Sequence, residues 1–251
     1  MQNTGNTRPV GTRYNERHCP VCGELVDYWE VVDIGEYPFH RFCACERKAQ
    51  AASKVDRLRK AGVSDPLFAS MRFEADDGES PDACGKVRRY VKHWDEMRAD
   101  GTGLLLYGGV GTGKTFLAAC VCNALIERGV SAIMSTSAAI IRTPFHAWDE
   151  RVHAIEEADL FVLDDFGAER STDFVGERLF DVVDARIRAA APLIVTTNLA
   201  PHDFTQADDI QHRRIFDRIL GACVPVEIVG QSRRIKEKAN RLEKARAVLF
   251  G

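Results

Sequence analysis

Residues 108–115 read Gly108-Gly109-Val110-Gly111-Thr112-Gly113-Lys114-Thr115 and follow directly on the apolar run Leu104-Leu105-Leu106-Tyr107. Glycines permit backbone conformations that turn successive N–H groups toward an anion, and a helix that starts at such a loop adds its positive end. We therefore predict a loop that binds the phosphates of ATP. In this pattern Lys114 reaches the β- and γ-phosphates, and the hydroxyl of Thr115 ligates Mg²⁺.

Four further short apolar runs resemble the one before this loop, and stretches of helical periodicity separate them. Runs that are apolar throughout fit strands buried on both faces of a parallel sheet. Strands that alternate with helices indicate an α/β fold whose sheet is covered by helices on both faces. The helices are predicted at about 115–128 and 172–190. The further predicted strands are Ala132–Met134, Leu160–Leu163, Leu193–Val195 and Val224–Val229.

The composition excludes some classes of function. The 251 residues include 34 Lys and Arg against 37 Asp and Glu, so a nucleic-acid contact has to come from a local basic patch. There is no run of eighteen apolar residues, so we expect no membrane span. Residues 1–11 lack the apolar core of a secretory signal, so we do not expect them to be one. We expect a cytoplasmic location, where clustered cysteines are metal ligands before they are disulfides.

Acidic residues follow the strand predicted at Leu160–Leu163. Asp164 is expected at the carboxyl edge of the sheet, where it would hold Mg²⁺ through water. Asp165 would orient or deprotonate the attacking water, although a turn or helix cap also explains an aspartate there. Glu169 is a second candidate for that role. Because aspartate reaches less far than glutamate, we expect hydrolysis to be slow or to depend on a partner.

Two further groups of polar residues complete the expected site. Asn198 follows the strand Leu193–Val195 and would hold the attacking water, with Thr196 or Thr197 as alternatives. Arg214 and Arg218 lie four residues apart and share a helix face, which taken alone is best explained as a solvated or salt-bridged basic face. An arginine presented to the γ-phosphate of a neighbouring subunit would instead act as an arginine finger.

Together these motifs resemble the AAA+ ATPases of the bacterial helicase-loader and transposition-helper family over roughly residues 60–235. The string Asp164-Asp165-Phe166-Gly167-Ala168-Glu169 is more specific to that family than the phosphate loop alone. The resemblance implies a sensor role for Asn198, the finger role for Arg218 with Arg214 as runner-up, and a second sensor role for Arg234. The family usually has an aromatic residue where this chain has Arg233. It also places a segment like 62–73 near the adenine, although core packing explains Phe68 and Phe73 equally well.

Four cysteines near the amino terminus form a metal-binding pattern. Cys19-Pro20-Val21-Cys22-Gly23 precedes Cys43-Ala44-Cys45, and four thiolates can close a tetrahedral structural Zn²⁺ site. His18 and His40 are possible substitute ligands, and unligated thiols or a redox pair are the alternative. We thus expect a flexible tail at 1–17, a zinc-binding module with a charged helix at 18–62, and an AAA+ domain with a minimal lid at 63–251.

These features favour a helicase loader with ATPase activity. It would bind a replicative helicase through the zinc module and the basic helix that follows Ser232, contact single-stranded DNA, and self-associate through the ATPase domain. Loader-like proteins of phages resemble this chain in carrying an amino-terminal cysteine module. The alternatives are a transposition helper acting on duplex DNA, a small-molecule kinase, and a zinc adaptor that binds nucleotide without hydrolysing it.

Overall fold

The computed structural model describes residues 16–32, 35–63, 65–169, 172–205 and 210–250. Contacts divide the chain into two compact units, Met1–Lys54 and Val55–Gly251. The division falls inside the helix α1, Ala44–Gly62, rather than at the end of that helix, where the sequence suggested a boundary. None of the described helices is long and apolar enough to cross a bilayer.

The first unit contains a small antiparallel sheet of the strands β1, Arg17–His18, β2, Leu25–Val32, and β3, Gly35–His40. The tail expected at 1–17 falls mostly on residues 1–15, which lie outside the described residues. Arg17, the last residue of the expected tail, instead belongs to β1. It lies opposite Asp27 of β2 in the strand register and forms an ion pair with that residue. The strand pairing is therefore local, between segments that the short turn at Cys19–Gly23 brings together.

The second unit is built on a parallel sheet in the order β5-β6-β7-β4-β8. All five strands predicted from the apolar runs are confirmed. The strands are β4 Gly103–Tyr107, β5 Ala132–Thr136, β6 Leu160–Phe166, β7 Leu193–Thr197 and β8 Cys223–Glu227. Because β4 lies between β7 and β8, the strand order reverses next to β4, and ligands bind at the carboxyl ends of strands at such a point.

Helices cover both faces of this sheet, as the sequence indicated. Leu104 and Leu106 of β4 pack into one apolar cluster with α5, whereas Leu105 between them packs into a second cluster with α8 and α10. This alternation explains why the strand is apolar at every position. The helices are α2 Pro66–Ser70, α3 Pro81–Lys92, α4 Trp94–Ala99, α5 Lys114–Glu127, α6 Ser137–Ile141, α7 Trp148–Glu157, α8 Asp173–Arg188, α9 Pro201–Thr205, α10 Ile210–Ala222 and α11 Arg233–Phe250.

A buried arginine joins three segments at the amino-terminal edge of the sheet. Arg186 of α8 has no solvent exposure, and its two Nη atoms donate to five backbone carbonyls at 2.6–3.2 Å. Burial lowers the pKa of this guanidinium to about 10, so the group remains charged at neutral pH. The carbonyls belong to Ile155, Glu156, Ala158, Asp159 and Pro192.

We expect Arg186→Met to destabilise the second unit by about 3 kcal/mol, because the buried carbonyls lose their shared donor. For a domain of this size that corresponds to a fall in Tm of about 10 °C, measured by thermal unfolding. Arg188→Met is the matched control, since the Arg188 side chain is 70% exposed and pairs with Asp184 one turn away. Equal Tm values for the two variants would show that the buried network contributes little.

Candidate functional site

A cleft of about 600 Å³ opens at the carboxyl ends of the sheet in the second unit. Its walls come from the loop after β4, the ends of β5, β6 and β7, and the start of α11. The segment around α2 closes another side, where Phe68 lines the cleft. Phe73 does not share this position, because it is buried in the core beneath the guanidinium of Arg88. The cleft thus lies where parallel α/β sheets bind ligands.

The loop between β4 and α5 wraps around a buried ammonium group. Lys114 is only 7% exposed, and its Nζ donates to the carbonyls of Gly108 at 2.9 Å and Gly109 at 2.7 Å. The hydroxyl of Thr112 also donates to the Gly109 carbonyl, at 3.0 Å. These bonds fix the loop around a positive charge at the amino terminus of α5, which is the arrangement that binds phosphate.

Two glycines of this loop allow the start of α11 to approach closely. Gly111 and Gly113 have φ values of 80° and 103°, which favour glycine. A Cβ atom on Gly111 would overlap the hydroxyl of Ser232, and one on Gly113 would overlap Nη1 of Arg233. The backbone N–H of Arg233 donates to the Gly111 carbonyl at 2.9 Å. The phosphate loop and the start of the lid helix therefore form one packed structure.

Asp164 ends β6 in the cleft and is only 3% exposed. The hydroxyl of Thr196 on β7 donates to its Oδ1 at 2.7 Å. Burial raises the pKa of the Asp164 carboxyl, and hydrogen bonds from Thr196 and Thr115 oppose that shift. A carboxylate that lies beside the Thr115 hydroxyl, behind a phosphate loop, matches the oxygen donors that Mg²⁺ prefers.

Asp165 lies in an irregular part of β6, where the register with β7 shifts. Its φ of 58° is left-handed, and its backbone N–H donates to Oγ1 of Thr196 at 2.9 Å. The exposed Asp165 side chain lines the cleft. Glu169 instead accepts hydrogen bonds from the N–H of Gly167 at 3.2 Å and is not among the cleft-lining residues of the described chain. Of the two candidates, the geometry brings Asp165 to the site.

Asn198 directly follows β7, and its exposed side chain lines the cleft. The two threonines before it are engaged differently. Thr196 bridges the acidic motif, since its hydroxyl accepts from the Asp165 N–H and donates to Asp164. Oγ1 of Thr197 accepts from the N–H of Leu199 at 3.1 Å. The strand end therefore presents the exposed side-chain amide of Asn198 to the cleft.

The arginines of α10 do not line this cleft within the described chain. Nε of Arg218 donates to Oδ1 of Asp184 on α8 at 2.9 Å. The guanidinium groups of Arg214 and Arg218 lie 4.9 and 4.6 Å from the ring centroid of Phe180. Arg218 is therefore held by α8 and not by the nucleotide cleft of its own chain.

At the start of α11 lies a residue to which the sequence assigned a place in the basic helix but no part in nucleotide binding. Arg233 lines the cleft, and its guanidinium lies 5.6 Å from the centre of the Phe116 ring. The side chain of Arg234, for which the resemblance implied a sensor role, lies outside the described residues. The sequence signal for Arg233 was its replacement of the family's usual aromatic residue after Ser232.

The four amino-terminal cysteines come together in the first unit. The Sγ atoms of Cys19, Cys22, Cys43 and Cys45 all lie within 4.8 Å of one another. Backbone N–H groups of Cys22 and Val21 lower the pKa of the Cys19 thiol to about 7, and the turn that presents them uses Gly23 at a φ of 73°. Four clustered sulfur donors are the ligand set of a structural Zn²⁺ site.

The two histidine alternatives do not join this cluster. Nδ1 of His40 hydrogen-bonds Oδ1 of Asp27, and Nε of Arg17 binds the other oxygen of the same carboxylate. The hydrogen bonds from His40 and Arg17 hold the pKa of the Asp27 carboxyl below its usual range. His18 is exposed on β1. In the described part of the chain, the group that could hold a metal consists of the four cysteines alone.

Comparison with known proteins agrees with this geometry. The profile of the IstB-like ATP binding protein family matches residues 93–241, which is more than half of the chain. The matched range contains the phosphate loop, Asp164 and Asn198. The chain belongs to the IstB-like ATP-binding family. As a member of that family the protein binds ATP, and the cleft around Lys114 has the donors that phosphates require.

Relatives of this IstB-like protein include the replicative helicase loader DnaI of Bacillus subtilis. The two are 26% identical over 229 residues, which cover 84% of this chain and 72% of the loader. An ATP-binding protein of an insertion sequence in Mycobacterium tuberculosis is 24% identical over 202 residues, which cover 77% of this chain and 78% of that protein.

Among solved structures, a DnaC helicase loader superposes with a TM-score of 0.58 at 20% identity. The superposition covers 66% of this chain and 100% of that one. This similarity shows the fold, which is the parallel α/β sheet covered by helices on both faces that the sequence of the IstB-like protein predicted.

Proposed function

We propose that this protein is an ATP-hydrolysing helicase loader that acts in DNA replication. The observation that carries the proposal is the extent of the DnaI match. It covers 84% of the chain, a larger share than the second unit can supply, so it continues into the unit that holds the cysteine cluster. A match to the ATPase domain alone would favour no member of the family over another.

In the proposed site, the groups that contact the phosphates are already held in place by hydrogen bonds within the protein. The N–H groups of the loop Gly108–Thr115 and the ammonium of Lys114 bind the phosphates. The oxygens of Thr115 and Asp164 would hold Mg²⁺, which would neutralise phosphate charge. The buried Nη1 of Arg233 lacks a hydrogen-bond partner in the described chain and lies against Gly113. A phosphate oxygen in the cleft would satisfy it, which supports the fit of the site to nucleotide.

Hydrolysis needs a group that accepts a proton from water and another that holds the water in place. We assign the first role to Asp165 and the second to Asn198, because both side chains line the cleft. The Thr196 hydroxyl fixes the backbone of Asp165 and the carboxylate of Asp164 in one arrangement. The short reach of an aspartate supports slow turnover that a partner accelerates.

Arg218 is proposed to complete the site of a neighbouring subunit after self-association through the ATPase domain. Its Nε is held by Asp184, and no other hydrogen bond engages its guanidinium within the described residues, so we assign its remaining nitrogens to a phosphate of another chain. Only the planar fork of an arginine offers this division of contacts. Arg214, which also packs against Phe180, is the alternative finger.

The zinc module is proposed to bind the replicative helicase together with the basic helix α11. That role implies contact with single-stranded DNA, held by phosphate attraction, and a cytoplasmic location. Helicase capture tests the proposal most directly. We expect the full chain to retain a replicative helicase on beads, and deletion of residues 1–54 to reduce capture at least about tenfold by removing the zinc module.

The deletion ends at Lys54 because Val55 and Leu58 pack against the core of the second unit. Nucleotide binding by the shortened chain, measured in parallel, is the control for its folding. Failure of the full chain to capture helicase, or undiminished capture by a shortened chain that binds ATP, would contradict the loader assignment.

A transposition helper is the second candidate. The match to the insertion-sequence protein, over 77% of this chain, favours it. A helper acts on duplex DNA, whereas the loader proposal requires single strands. ATP turnover measured with equal amounts of each DNA separates the two. Stimulation by duplex alone, without helicase capture, would transfer the assignment to the helper.

A further inference from the structure

An acidic segment lies against the same cleft from a distant part of the sequence. Nε and Nη2 of Arg233 donate to the two carboxylate oxygens of Asp77 at 2.8 and 2.6 Å, which is a bidentate pair. Nη2 also lies 3.4 Å from Oδ1 of Asp76. One edge of the guanidinium is thus occupied by carboxylates that precede α3, 156 residues away in sequence from Arg233.

The remaining nitrogen of this guanidinium, Nη1, lies against the phosphate loop instead of the carboxylates. Nη1 of Arg233 is buried, has no hydrogen-bond partner within the described residues, and occupies the space that a Cβ on Gly113 would need. Gly113 immediately precedes α5, whose amino-terminal N–H groups form the phosphate loop. A buried donor without a partner is unfavourable, and a phosphate oxygen at this helix terminus is the anion that would satisfy it.

Both partners of the ion pair are anchored by independent contacts. The N–H of Arg233 is bound to the Gly111 carbonyl, as described above. Beyond Asp77, the hydroxyl of Ser80 donates to the carbonyl of Val229 at 2.6 Å, which ties the acidic segment to the chain just before α11. The pair therefore has a defined geometry on both sides, unlike an exposed ion pair between mobile side chains.

We infer that Asp77, assisted by Asp76, is a positioning residue of the ATP site. It holds Arg233 by one edge and directs Nη1 into the phosphate loop. The inference rests on the phosphate site proposed above. The planar guanidinium of an arginine can bind anions along two of its edges, so a carboxylate on one edge leaves the other edge for phosphate. The carboxylate also restricts the rotation of the side chain away from the cleft. Nucleotide affinity and the order of the acidic segment are then linked, because each partner orders the guanidinium for the other.

The test compares affinities of the full chain for ATP, ADP and adenosine. We expect Arg233→Gln to weaken ATP binding about tenfold and Asp77→Asn about threefold to tenfold, because a charge-assisted contact is lost or misdirected. Adenosine affinity should not change, since it carries no phosphate. The double variant should bind ATP no more weakly than Arg233→Gln, and Asp77→Glu should restore part of the loss.

Asp82→Asn is the matched control, because Asp82 is an exposed carboxylate that pairs with Lys86 on α3 outside the cleft. Tighter or unchanged ATP binding by Asp77→Asn would overturn the inference, as would an equal loss of adenosine affinity, which would indicate a structural role. Lys114→Ala tests the underlying site separately. Normal ATP binding by Lys114→Ala would contradict the proposed phosphate site. Weak ATP binding by Lys114→Ala together with unchanged ATP binding by Asp77→Asn would contradict only the role inferred for Asp77.

Discussion

Replacing Lys114 with alanine is expected to lower ATP affinity about a hundredfold and to abolish hydrolysis. The substitution removes a charge-assisted contact of about 3 kcal/mol to the phosphates. It also removes the donor that holds the carbonyls of Gly108 and Gly109 at 2.9 and 2.7 Å, so the loop loses its shape as well as its charge. Nucleotide titration and steady-state phosphate release measure the two effects.

Lys86→Ala is the matched control, because the Lys86 ammonium is exposed and pairs with Asp82 one turn away on α3. We expect ATP affinity within a factor of two of the parent, since exposed pairs contribute little. The Tm of both variants shows whether the fold persists. ATP turnover by a folded Lys114→Ala variant would contradict the assignment of this cleft as the nucleotide site.

Removal of zinc is expected to unfold the first unit while the second stays folded. Among the residues of the first unit whose burial is described, the buried cluster consists of Val26 and the ligand candidates Cys19 and Cys43, with Cys45 packed against it. A segment as short as the one from β1 to Cys45 usually needs a staple to fold, and a structural zinc site supplies about 10 kcal/mol. Metal analysis should find one zinc per chain, and chelation should expose the region before Lys54 to protease.

Cys43→Ser should lose the metal and show the same cleavage without chelator. Cys122→Ala is its control, since Cys122 is buried in the second unit and burial raises the pKa of its thiol to about 12, far from the thiolate a metal needs. It should retain zinc. A protein that is metal-free as purified, with a first unit resistant to protease, would contradict the zinc assignment.

The strands of the second unit could be predicted because each is buried on both faces. Leu104 to Leu106 alternate between two apolar clusters, so both faces select apolar residues and the run is visible in the sequence. Lys114, Thr115 and Asp164 were predictable for a related reason. Their positions follow from local spacing relative to a strand end, which is where parallel sheets place their ligands.

The position of Arg233 in the cleft was not predictable from local spacing. Its partner Asp77 lies in a segment that the sequence describes only as an acidic loop, and nothing in the intervening chain indicates that the two meet. The hydrogen bonds that join Thr196 to both Asp164 and Asp165 could not be predicted for a similar reason. They depend on the register shift between β6 and β7, which brings one hydroxyl to both Asp164 and Asp165.

The burial of arginines could not be predicted from the sequence either, since a basic residue on an amphipathic helix is expected at the surface. Arg178 is 4% exposed, and its guanidinium lies 3.9 Å from the centre of the Trp148 ring while donating to the Thr143 carbonyl. The aromatic and carbonyl partners that replace water come from other elements, so only the assembled fold reveals them.

The carbonyls that Arg186 binds are also expected to couple the local opening of three segments of the second unit. They belong to the end of α7, the residue before β6 and the residue before β7, so loosening any one of these segments exposes a cation on which the others depend. Such segments open as one cooperative unit, and their amides should share a single rate of hydrogen exchange. The edge of the sheet opposite the cleft is therefore expected to behave as one rigid unit, held together by a single buried cation.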